Sequence, residues 1–160
     1  MVAEVAFRNA MANLGAAVSI ITSDGVSGLA GLTVSAVCSV SDTPPTLLVC
    51  INRNSRSFPV IRDNGKLCVN VLGSHHEQIS NLFAGKAEIQ DRFASVDWHA
   101  GSLGQPVIDD ALVSFECEID EVKDVGTHGV FMCRVKDIVI SDSGHGLIYF
   151  RRSYHAILSV

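Results

Sequence analysis

The chain has 160 residues, with 12 Lys and Arg against 17 Asp and Glu, a net charge of −5 and 48% hydrophobic residues. That length suits one domain over residues 1–160, long enough to bury on the order of 70% of the surface its unfolded form exposes. The basic residues form no run, which excludes a nucleic-acid phosphate footprint, and no apolar stretch approaches the ~20 residues of a membrane span.

Mean hydropathy is nonetheless positive, at +0.31, and the excess apolar surface points to a second copy of the chain, a homodimer. Residues 1–8 lack the basic flank and apolar core of a secretory signal, so a cytoplasmic setting is expected. The five cysteines, Cys38, Cys50, Cys68, Cys117 and Cys133, contain no Cys-x-x-Cys pair and sit in apolar, strand-like contexts. They read as reduced core residues.

In chain order, Phe7, Ala10, Met11 and Leu14 recur at helical spacing and Gly15 follows as a stop, predicting an amphipathic helix over 4–14 that packs as a lid on a sheet. Residues 18–22 are β-branched except for Ser19 and read as a strand, and Ser23-Asp24-Gly25 is a turn signal. The run 31–41 then reads as one strand. Its alternation puts Thr33, Ser35, Ser39 and Ser41 on one face with Val37, and Leu32, Val34, Ala36, Cys38 and Val40 on the other. Small hydroxyls and free N–H groups on one face would let a flat ring and a phosphate tail approach the backbone closely. A half-buried strand whose Ser/Thr face meets water shows the same alternation.

Residues 47–51 predict another strand, 52–57 a polar loop and 58–63 a short helix ended by Asn64-Gly65. Residues 67–72 form a near-continuous apolar strand, and Ser74 and Glu77 have capping-box spacing at the start of a helix lined by Ile79, Leu82 and Phe83 and stopped by Gly85. In that reading His75 and His76 serve the cap and solvent. Residues 86–106 show no period and read as a long functional loop with Lys86 and Arg92, while Trp98 suits core or dimer packing. Val113, Phe115, Cys117 and Ile119 alternate with Ser114, Glu116, Glu118 and Asp120; after the 124–126 turn a second strand runs from His128 towards Ile140. A last strand covers 146–151. With few helices, this pattern favours a mainly β, antiparallel barrel.

Several chemistries lack their signatures. Gly25, Gly28 and Gly31 do not have the Gly-x-Gly-x-x-Gly spacing of a dinucleotide fold, and there is no Walker A loop, Gly-x-Ser-x-Gly elbow or His-Glu-x-x-His helix. No metal site is assigned, because His75 and His76 are adjacent and their side chains diverge.

The hydroxyl strand, the 52–57 loop, Gly126-Thr127-His128 and Gly146-Leu147-Ile148-Tyr149-Phe150 together resemble the short-chain flavin reductase family, over about residues 7–157. Two of its branches share patterns with the chain. Residues 67–72 and 144–150 look like the reductase component of 4-hydroxyphenylacetate 3-monooxygenase, whereas 80–86 and 152–156 look like the flavin reductase of pyrimidine utilisation. The resemblance implies an FMN-binding, Greek-key split β-barrel, a homodimer, in which NADH or NADPH reduces FMN or FAD for a partner monooxygenase component. It implies that Thr33, Ser35, Ala36, Val37, Cys38 and Ser39 edge the flavin ring and that Asn52, Ser55 and Ser57 take its ribityl and phosphate end, with Lys86 and Arg92 adding positive charge. His128 would position the nicotinamide, and Tyr149 would lie near the flavin. On their residue types alone, Lys86 and Arg92 equally suit solvated loop charges, His128 a turn residue bonded to backbone, and Tyr149 or Phe150 a core position. A non-catalytic module of the same fold that stores or senses FMN is the competing reading.

Overall fold

A computed structural model describes residues 1–160. In chain order it contains α1 (Glu4–Met11), β1 (Ala16–Ala17), β2 (Ser19–Ser23), β3 (Ala30–Val34), β4 (Val37–Asp42), β5 (Pro45–Asn52), α2 (Ser57–Asn64), β6 (Lys66–Val71), a 3₁₀ turn (Ser74–His76), α3 (Glu77–Ala84), α4 (Ile89–Ala94), β7 (Trp98–Ala100), β8 (Pro106–Ile108), β9 (Val113–Val125), β10 (His128–Ile140), β11 (Gly146–Phe150) and β12 (Ser153–Ile157). Every strand pairing is antiparallel.

The largest sheet has seven strands in the order β3-β2-β6-β9-β10-β5-β4. Its two edge strands, β3 and β4, are consecutive in the chain and joined by Ser35 and Ala36 alone. Two residues span only ~7 Å, so the sheet must curl until its edges meet. This is the barrel, and the expected single strand over 31–41 is in fact the seam that closes it. The break resets the side-chain alternation. Val34 packs on the inner core with Leu32, as alternation predicts, but Val37 does so too and Cys38 and Val40 are exposed, the reverse of their predicted faces. A bulge between Ser39 and Ser41 shifts the register again.

The inner core holds Ile21, Leu32, Val49, Ile51, Leu67, Val69 and Phe131, closed at one end by Phe58 and Ile61 of α2. Phe58 meets Phe131 edge to face with centroids 5.4 Å apart. A second core lies on the other face of β2, where Ile20 packs with Leu72, Phe83 of α3, Phe93 of α4, Ile108 and Leu147 of β11. Both faces of β2 are therefore buried, which explains its consecutive β-branched residues Ile20, Ile21 and Thr22.

Several expectations are corrected by these contacts. Helix α1 ends at Met11, and none of its residues is buried, so it is no lid within one chain. The span 86–106 contains α4 and the β7–β8 hairpin rather than an irregular loop. The cap before α3 is made by His76, whose Nδ1 accepts the Gly73 N–H at 3.0 Å; Ser74 and Glu77 form no capping box. His76 is buried, and burial together with His75 lowers its pKa to about 4. Ser114 and Glu116 do not face water. Ser114 donates to Asn70 Oδ1 at 2.8 Å, and Glu116 accepts the N–H groups of Leu103 and Gln105 and the Ser102 hydroxyl. Of the cysteines, Cys68, Cys117 and Cys133 are buried, Cys50 is half-buried and Cys38 is exposed.

Candidate functional site

The principal cleft has a volume of about 600 Å³ and lies where β3, the 52–57 loop and the 84–89 segment converge. Its size falls in the ordinary range of small-molecule sites. One part of the wall is apolar, from Leu29, Leu32, Val60, Ala84 and Ile89; the remainder is polar, from Thr33, Asn52, Asn54, Ser55, Ser57, Arg56, Lys86, Glu88 and Arg92.

The polar loop is shaped by its own side chains. Asn52 Oδ1 accepts the Asn54 N–H at 2.9 Å, and Asn52 O accepts the Ser55 N–H at 3.0 Å, which bends the chain sharply after β5. Ser55 Oγ then accepts the Ser57 N–H at 3.2 Å as α2 begins. The bend presents hydroxyls and the N-terminal end of α2 to the cleft, an arrangement suited to an anion.

Arg92 lines the cleft but is buried. Its Nε–H donates to Ala87 O at 3.0 Å, Nη1 to Gly31 O at 2.7 Å and Phe83 O at 2.9 Å, and Nη2 to Gly85 O at 2.8 Å. Four of its five N–H groups are thus committed to carbonyls. It is the clamp that ties β3 to the 83–87 turn, with one N–H group left uncommitted beside the cleft that it lines. Burial, and then the neighbouring Arg56, lower its pKa. Lys86 is exposed and makes no ion pair. Arg56, a cleft residue that sequence reasoning missed, contacts both oxygens of Glu88 at 3.1 and 3.2 Å and the carbonyls of Lys86 and Ala87. The only signal for it was its place between two cleft serines.

Of the sequence-predicted residues, Thr33, Asn52, Ser55, Ser57, Lys86 and Arg92 line this cleft. Thr33 Oγ1 donates to Ser80 O at 2.6 Å. Ser35 and Ala36 follow directly, exposed at the seam between β3 and β4. Val37 packs inward and Cys38 and Ser39 lie further along β4, outside the cleft of one chain. His128 is exposed and stands directly across the ladder from Asn52, at the rim beside the polar loop. Its Nδ1 is 2.8 Å from Thr127 Oγ1, so the opposite ring nitrogen faces away from that contact. Tyr149 is not brought to the cleft. It belongs to the β1-β11-β12 sheet, where its ring lies 5.2 Å from that of Tyr154. Tyr154 in turn shares a 2.7 Å hydrogen bond with Ser80 Oγ. No group of three or more His, Cys, Asp or Glu could hold a metal ion, and no helix is long and apolar enough to cross a membrane.

A curled antiparallel sheet whose seam carries hydroxyls, beside a cleft with serines and cations at one end, defines a fold and site for a flat ligand bearing an anionic tail. The chain belongs to the flavin reductase like domain family, whose model matches residues 11–158. It is similar to FMN reductase (NADH) RutF of Cronobacter turicensis, with 54% identity over 152 residues, 95% of this chain and 92% of the relative. It is also similar to the crystal structure of a candidate flavin reductase from Haemophilus somnus 129pt, with 44% identity and a TM-score of 0.95 over 98% of this chain and 100% of that one. The styrene monooxygenase flavin reductase of Pseudomonas putida S12 is 25% identical, with a TM-score of 0.85 over 96% of this chain and 98% of that one.

Proposed function

We propose that residues 1–160 act as one domain, an NADH-dependent reductase of FMN that supplies reduced flavin to a separate monooxygenase component. The observation that carries this reading is the cleft itself: an apolar wall for a ring system leads to Ser55, Arg56 and Lys86, donors that fit a phosphate, with Ser57 beside them bonded to Gly31 O at 3.4 Å. Family membership and the likeness to an FMN reductase support it. The donor set accommodates the phosphate of FMN, and FAD shares that phosphate.

When bound, the flavin supplies a ring that accepts a hydride from the nicotinamide. The protein's task is then to hold two flat rings in contact and exclude alternatives, which can contribute several kcal/mol without a protein acid or base. In this reading Thr33 edges the ring in the cleft, Ser35, Ala36, Cys38 and Ser39 continue that edge along the seam beyond the cleft of one chain, and Val37 sets the seam's position by packing inward. Asn52 shapes the loop that holds the ribityl and phosphate end. His128, at the rim across from Asn52, orients the nicotinamide. Tyr149, remote from the cleft of one chain, takes no part in binding there. The reductase works as a homodimer through the apolar outer face of the large sheet, in the cytoplasm.

The test is steady-state NADH oxidation with and without added FMN or FAD, alongside His128→Ala. Oxidation that requires added flavin, with a loss of roughly ten- to a hundred-fold in kcat/KM for NADH in the variant, is expected. Flavin binding without turnover of NADH or NADPH would overturn the reductase reading and favour a module that stores or senses flavin.

A further inference from the structure

The polar end of the cleft contains a group that an anion site does not need. Beside Arg56, Lys86 and Arg92 stands one carboxylate, Glu88, on the residue that leads into α4. It takes Arg56 Nη1 on both oxygens, at 3.1 and 3.2 Å, while Arg56 Nη2 reaches the Lys86 and Ala87 carbonyls at 3.3 and 3.5 Å. The guanidinium therefore straps the 52–57 loop to the 86–88 segment across the cleft. Because Arg92 is committed to carbonyls, Arg56 and Lys86 are the cations left for a bound anion, and Glu88 already holds one of them.

We propose that Glu88 sets how loosely the cleft holds a phosphorylated flavin, by competing with the phosphate for Arg56; this rests on the flavin reading above. The Arg56 and Glu88 side chains are 64% and 65% exposed. An ion pair so solvated contributes little to stability, so its presence is not explained by folding. It can open and close without disturbing the core. A carboxylate in this place acts on the ligand in two ways. It occupies the Arg56 guanidinium when no anion is bound, so that a phosphate must displace it, and it repels a phosphate dianion that enters beside it. Both effects weaken binding of the phosphate while leaving the ring wall untouched. Such a site suits a flavin that leaves after each reduction, because weaker binding speeds its release.

The experiment is titration of the full chain with FMN and with riboflavin, which has the same ring but no phosphate, followed by fluorescence quenching or calorimetry. Glu88→Gln keeps the shape and an acceptor for Arg56 but removes the charge. It is expected to tighten FMN binding about fivefold and to leave riboflavin binding within twofold. In an Arg56→Gln background the competition is gone and only the direct repulsion of the phosphate is left, so the same change should tighten FMN binding by a smaller factor than in the parent. An FMN affinity unchanged in Glu88→Gln, or a riboflavin affinity shifted by the same factor, would overturn the proposal. If the unaltered protein bound neither FMN nor riboflavin, the flavin reading itself would fall, and the role of Glu88 with it.

Discussion

Arg92 shows how one side chain shapes the cleft that it lines. Its fork satisfies the carbonyls of Gly31, Phe83, Gly85 and Ala87, three of them at the bend between α3 and α4, where carbonyls would otherwise be left without partners. Lysine has one point of attachment and no planar fork. Arg92→Lys should therefore lower stability by roughly 2–4 kcal/mol, read as a fall in the urea midpoint with an unchanged m value. FMN should still bind at low temperature, because the lost contacts are to carbonyls. His76 makes a second, pH-dependent contribution. Its folded pKa is about 4 against an unfolded value near 6.5, so between these values the unfolded chain binds a proton that the folded one refuses. Stability is complete above pH ~6.5 and falls as pH drops towards ~4, by on the order of 2–3 kcal/mol. Asparagine can present an acceptor where Nδ1 now takes the Gly73 N–H. His76→Asn should thus flatten the stability profile between pH 6.5 and 4, as measured by denaturant unfolding at several pH values.

Among the elements, the β9–β10 hairpin and α2 are coupled through a missing side chain. Gly129 is buried in β10, and a Cβ there would overlap the ring of Phe58, the residue that seats α2 on the inner core. Gly129→Ala should push α2 outward and displace the 52–57 loop at its N-terminal end. The expected result is weaker binding of FMN and riboflavin alike, by at least tenfold, with a stability loss of about 1–3 kcal/mol; equal affinities in parent and variant would show that the loop is set independently of α2. The hairpin was legible in the sequence because a strict alternation ran into a glycine turn, and Gly126 does adopt φ 56°. The serines of the polar loop were legible for the same local reason: loop chemistry is written in adjacent residues. What lay hidden depended on distant partners. Ser114 is buried because Asn70 receives it, and Glu116 because the 101–105 turn, at the far end of the β7–β8 hairpin, supplies its donors. Val37 took the inner face because two residues at the seam reversed the parity that a continuous strand would have kept. No local pattern distinguishes Arg92 among carbonyls from Lys86 in solvent.

For the molecule as a whole, closing the sheet solves one problem and leaves another. Joining β3 to β4 through two residues brings both edges of the seven-stranded sheet to one seam, so neither runs far from its neighbour as a free template for further strands. The outer face of the β4-β5-β10 region, however, remains apolar. The ladder sets Cys38 opposite Leu48 and Leu48 opposite Met132, with Val130 opposite Cys50, so these side chains share the face turned away from Val49 and Phe131. On β9 the row continues into Glu121 and Lys123, which border the apolar patch with charge. An apolar centre with a charged border is a composition that suits a subunit interface. A carboxylate at the centre of that patch would have no partner once covered, at a cost of several kcal/mol per site, and a twofold interface would bear it twice. Leu48→Glu should therefore shift the protein from twice its 17.1 kDa chain mass to the single-chain mass in light scattering at micromolar concentration. Because Leu48 points away from the inner core, the variant should keep its sheet signal in circular dichroism. A parent protein that already elutes at the single-chain mass, or a Leu48→Glu variant that stays at the doubled mass, would place the subunit contact elsewhere and leave this face for another partner.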